Sequence, residues 1–144
     1  MTSKTEQSSG VNRRPDWPRQ LAQYVERFRN ERFAWGYNDC LTFALRWERI
    51  ATIQSAFADA FFIYSDAQGA NELMARHQVY DVGEICDLRL DRIEPKKAQR
   101  GDIIGHDASG QLALAVCVGT RFAYPAGKRL RFKPIEKALC AWRV

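Results

Sequence analysis

No two of the four cysteines, Cys40, Cys86, Cys117 and Cys140, lie within twenty residues of each other along the chain. The paired spacing of a zinc site or a dithiol redox centre is therefore missing, and neither a metal nor another cofactor is expected. Histidine is scarce as well. Only His77 and His106 exist, so any imidazole chemistry must use one of these two. No apolar run approaches the ~20 residues of a bilayer span, which excludes an integral helical membrane protein. The first ten residues have no apolar centre and do not read as a secretory signal. They are expected to form a flexible tail over residues 1–12 of a protein made in a bacterial cytoplasm, where disulfides are disfavoured.

What is present is ordinary globular material, 144 residues with 46% hydrophobic and 27% charged side chains. That is one domain's length, placed at residues 13–144. The net charge of +5 is unevenly spread. Residues 59–94 hold eight acids against three arginines, a net −5. Residues 119–144 hold seven basic residues against Glu136 alone, a net +6. Such polarity suits docking against other subunits. The basic stretch has no recognition helix, stacking motif or finger spacing, so nucleic acid is not an expected partner.

Pro18 followed by Leu21, Tyr24, Val25 and Phe28 at three- and four-residue intervals predicts an amphipathic helix over residues 18–31. A loop follows, and a second helix is expected from Cys40, with Phe43, Ala44, Trp47 and Ile50 on one face and Asn38 or Asp39 as its cap. Residues 55–67 have no clear period, although Phe57, Phe61 and Phe62 belong in a core. Shorter helices are expected at residues 70–77 and 82–90. After Pro95 the pattern becomes short apolar or alternating runs, at residues 103–104, 112–118, 122–124 and 130–132, separated by turn residues. Residues 138–144 are expected as an edge strand. Helices first and an antiparallel sheet second make an α+β domain. Trp17, Trp142 and Tyr124 are candidate interface anchors.

The sharpest feature is Phe33-Ala34-Trp35-Gly36-Tyr37-Asn38-Asp39-Cys40-Leu41-Thr42-Phe43-Ala44. A cysteine opening a helix sits at the positive end of the helix dipole, which favours its thiolate, and its backbone N–H is free to hold an oxyanion. This segment resembles the cysteine motif of the NlpC-type cell-wall peptidases. Arg100-Gly101-Asp102-Ile103-Ile104 and the strand at Ala113-Leu114-Ala115-Val116-Cys117-Val118-Gly119 resemble that family's later motifs. The resemblance implies a papain-like fold, N-terminal helices packed on a C-terminal antiparallel sheet, with Cys40 as nucleophile and Phe33, Trp35, Gly36 and Asp39 around the cleft.

The chain also departs from that pattern. Ala113 stands where the family carries its catalytic histidine, and alanine can neither take up a proton nor deliver one. Phe33 replaces a tyrosine, Tyr37 a glycine, and Leu41-Thr42 the usual Ser-Gly. His77 reads as a surface residue. His106 is the remaining candidate base, its plainer role being a loop histidine before the turn at residues 107–110.

Arg13-Arg14-Pro15-Asp16-Trp17-Pro18 and the ending Ala141-Trp142-Arg143-Val144 are, with the cysteine motif, similar to a group of phage tail proteins in the same superfamily. That resemblance implies a tail-tip or baseplate building block in the virion, with hub or distal tail subunits as partners. If the cysteine is active, it implies instead a hydrolase acting on peptidoglycan peptides during genome delivery.

Overall fold

The computed structural model describes residues 12–58 and 63–144. Residues 1–11, most of the expected tail, and Phe61 and Phe62 lie outside the described residues. Among the described residues four α-helices, α1 (Trp17–Phe28), α2 (Cys40–Ala51), α3 (Ala67–Arg76) and α4 (Val82–Asp87), precede most of the sheet. The strands are β1 (Arg92–Ile93), β2 (Ile103–Ala108), β3 (Gln111–Cys117), β4 (Arg121–Ala126), β5 (Arg129–Pro134) and β6 (Cys140–Trp142). They form one antiparallel sheet in the order β1-β6-β2-β3-β4-β5. The expected α+β order holds.

Local chemistry explains each helix. Pro18 sits in the first turn of α1, where its missing N–H costs nothing, and Leu21, Tyr24 and Phe28 form the buried stripe. Asp39 caps α2 with a reciprocal box: its carboxylate accepts from Thr42 N at 2.9 Å while the Thr42 hydroxyl accepts from Asp39 N at 2.9 Å. Asp66 and Asp81 cap α3 and α4 in the simpler way.

The two sheet faces are built differently. Leu114 and Val116 of β3, Ile103 of β2 and Trp142 of β6 point to the helices and meet Phe28, Phe43 and Trp47. Alternation sends Ile104, Ala115, Cys117 and Phe122 to the other face, where a smaller cluster is closed by the segments around Ala98 and Ile135. Each large apolar side chain removed from water contributes about 1.5–3 kcal/mol. Tyr24 donates its hydroxyl to Phe43 O at 2.7 Å, and Trp47 donates Nε1–H to Gly101 O at 2.8 Å, so the buried polar tips are satisfied.

Glu48, 1% exposed, is held at the end of α2 by Ala56 N at 2.8 Å and by the Ser55 hydroxyl. It shapes the turn carrying Phe57, which is buried as expected.

A second buried carboxylate, Asp102, ties Arg13, near the start of the described residues, to Val144. Its Oδ1 accepts from Arg13 Nη2 at 2.8 Å and from Val144 N at 3.0 Å, and its Oδ2 from Gln99 N at 2.9 Å. Arg13 also donates to Val144 O and Arg100 O, both at 2.8 Å.

Two expectations are corrected. β6 is not an edge strand: Ala141 and Trp142 pair with both β1 and β2, because Trp142 is apolar on the helix side and is fully buried there. Trp142 is therefore core, not an interface anchor, with its Nε1–H donated to Asp87 Oδ1 at 2.7 Å. Trp17 and Tyr124 are half-buried.

Candidate active site

The loop before α2 is pinned at both ends. Ala34 and Asn38 pair through Asn38 N to Ala34 O at 2.7 Å and Ala34 N to Asn38 O at 3.2 Å. Gly36 sits at the bend with φ +79°, and a Cβ there would fall 1.8 Å from Tyr64 O. Only glycine fits. Its N–H donates to Asp39 Oδ2 at 2.7 Å, so Asp39 secures the loop behind it and the helix ahead of it at once. Phe33 and Trp35 meet edge to face with centroids 5.0 Å apart, and Phe33 N donates to Gly127 O at 2.8 Å. Trp35 and Tyr37 remain 43% and 47% exposed.

Cys40 is the first residue of α2 and rests against β3. The pairing of β3 with β4 covers only Val116 and Cys117, so the earlier half of β3 is free of β4. Leu114 directs its backbone N–H at the Cys40 sulfur there, joined by the N–H groups of Leu41 and Cys40 itself. These three donors favour thiolate, as the helix dipole does. They lose to burial, the largest influence, which Asp39's negative charge reinforces, and the thiol is pushed up to about 11. The expected lowered pKa is thus reversed, because the sulfur sits in apolar surroundings instead of an open cleft.

No imidazole offsets this. Leu112, Leu114 and Val116 are the β3 side chains on the helix face, and all three are apolar. Ala113 pairs across the hairpin with His106, so these two share the opposite face. His106 is fully buried there. Its ring meets Phe122 and Tyr124 in tilted contacts, with centroids at 4.9 and 4.5 Å. Lys133 Nζ lies 3.3 Å from His106 Nδ1, and no partner meets Nε2. Burial, then the Lys133 charge, hold the imidazole's pKa down at about 4. No hydrogen bond joins His106 to Cys40. His77 is exposed at the end of α3.

Gly36 and Asp39 are tied together in the turn that leads into Cys40, and Phe33 and Trp35 meet each other at its start, whereas His106 and Ala113 belong to the other side of the sheet. Tyr64 completes the site and carried no sequence signal, lying in the stretch without a period. Its hydroxyl bonds to the Asp39 carboxylate, and burial followed by that contact raises its pKa strongly. Among the described residues no three His, Cys, Asp or Glu side chains gather as a metal site would require. No helix there is long and apolar enough to cross a membrane.

Helices before an antiparallel sheet have a solved counterpart. The chain is similar in structure to the NlpC/p60 domain of the peptidoglycan hydrolase SagA, with a TM-score of 0.51 and 12% sequence identity over 88% of this chain and 98% of that one. At that identity the likeness shows the fold, which is NlpC/p60-like. No curated protein matches the chain. One family pattern does, running from the Arg13 clasp through the cysteine loop to β6: residues 12–144 match the "Domain of unknown function (DUF6950)", and the chain belongs to that family.

Proposed function

We propose that this chain is a structural or assembly subunit of a phage tail tip, built on an NlpC/p60-like domain that no longer performs peptidase chemistry. The observation that carries the loss of chemistry is the surroundings of Cys40: a thiol pushed up to about 11, packed against the apolar core at Leu114, with His106 buried on the other side of the sheet. A papain-like reaction needs a base to take the thiol proton and then to protonate the leaving amine. Neither step has a carrier here. The tail assignment is supported by the motifs at residues 13–18, 33–44 and 141–144 and by the segregation of charge between residues 59–94 and 119–144, which suits contact with other subunits.

Two measurements test the reading. Purified protein incubated with peptidoglycan should release no new amino groups, and Cys40→Ala should behave identically. Release that disappears in Cys40→Ala would overturn the loss of chemistry. Mass spectrometry of purified phage particles should find the chain in the tail fraction, and its consistent absence from particles and from tail-assembly intermediates would overturn the tail role.

A further inference from the structure

A second concentration of chemistry lies away from Cys40, at the edge of the sheet. An open cleft of about 510 Å³ is lined there by Arg29 from the end of α1, Arg121 and Tyr124 from β4, and Arg129, Arg131 and Phe132 from β5. No carboxylate lines it. Arg29 pairs with Glu26 at 3.0 Å in an exposed contact, the kind that contributes little. Among the described residues no ion pair joins Arg121, Arg129 or Arg131 to an acid. Four permanent positive charges sharing one cleft repel one another, and an anion seated among them removes that repulsion.

The arrangement is also directional. Arg121 and Arg29 lie over the Phe132 ring, 4.7 and 5.9 Å from its centroid, which fixes their planes. Arg129, Arg131 and Lys133 alternate along β5, so they share one face with Tyr124 at a spacing of roughly 6.6–6.8 Å, while Arg121 and Phe132 lie on the opposite face and the cleft takes in both around the edge strand. That repeat is commensurate with successive phosphates of an extended strand, and a guanidinium fork grips a phosphate with two bonds. The ring of Tyr124 is already engaged by Lys133 Nζ at 5.2 Å and by His106, so the rings offer no free platform for reading bases.

We propose that the β4–β5 edge binds the phosphodiester backbone of single-stranded nucleic acid without regard to sequence. This site is separate from the Cys40 loop and stands whether or not the tail assignment does.

The test is fluorescence anisotropy of a labelled 12-nucleotide oligothymidylate with the full chain. Binding is expected at 50 mM salt and should weaken roughly 50-fold by 200 mM, the slope for about four phosphates on a single strand. Arg129→Glu with Arg131→Glu should abolish it, while Arg76→Glu with Lys96→Glu, the same charge change elsewhere on the surface, should leave most of it. Arg131→Gln, a milder variant that keeps the fold if the double change does not, should lower the salt slope by about 0.7. No binding at 50 mM salt, equal loss in the control pair, or displacement by polyglutamate as effective as by unlabelled oligonucleotide would each overturn the proposal.

Discussion

Alkylation of Cys40 offers the most direct check on the electrostatics of the loop. Iodoacetamide reacts with the thiolate, so the rate follows the ionised fraction. Burial raises the thiol from 9.0 to about 11. A shift of two pKa units cuts the thiolate present at pH 8 about 100-fold, from roughly a tenth of the molecules to roughly a thousandth. Unfolding removes the burial and the Asp39 charge together, so the denatured chain supplies the internal reference. Native protein and protein in 8 M urea would be pulsed across pH 7 to 10.5, and each cysteine followed separately by mass spectrometry. Cys40 should label about 100-fold more slowly in the native protein at pH 8, with a rate still climbing at pH 10. A native Cys40 that labels as fast as the unfolded one, or that levels off below pH 8.5, would refute the reasoning: the three N–H donors and the helix dipole would then outweigh burial.

His106 makes an acid-side prediction. Its folded pKa is lowered to about 4 from an ordinary 6.5, so the unfolded chain takes up the proton first and stability is lost as pH falls from 6.5 towards 4. The full loss is about 3 kcal/mol, and urea titrations at pH 7 and pH 4 should show it in the parent and much less of it in His106→Gln; equal losses in the two would exclude His106 as the source. Gly36→Ala should cost at least about 1–2 kcal/mol from its left-handed backbone alone, with the clash against Tyr64 O added. A change under 0.5 kcal/mol in chemical denaturation would show that the loop can relax around a Cβ.

Local signals made much of this legible. The 3–4 spacing of Leu21, Tyr24 and Phe28 predicted α1, and the Asp39-Cys40 junction predicted the start of α2, because caps and stripes are written within a few residues. The NlpC/p60-like architecture followed from the order of elements and the motifs, and the structural likeness bears it out. Long-range facts were less readable. β6 looks like an edge strand in sequence because nothing local reveals that both β1 and β2 will pair with it. The helix-start position of Cys40 argued for a lowered pKa, but burial, with the Asp39 charge behind it, reverses the sign even against the N–H that Leu114 brings from a distant strand. Tyr64 contributes a hydroxyl from a segment with no periodicity at all. Helix α3 starts three residues earlier than expected, at Ala67 behind its Asp66 cap, while α4 starts at Val82 as expected and ends at Asp87, three residues short.

The Arg13–Asp102–Val144 clasp has a consequence for the order of assembly. Its longest link spans 131 positions, from Arg13 Nε to Val144 O. Closing so large a loop in an otherwise open chain costs about 4 kcal/mol, more than one or two hydrogen bonds return. Once α1 is docked and β6 lies between β1 and β2, the same ends are already side by side and the cost is gone. The clasp is thus a latch that engages after the sheet is complete, and a pull applied between residues 13 and 144 would load it before any strand.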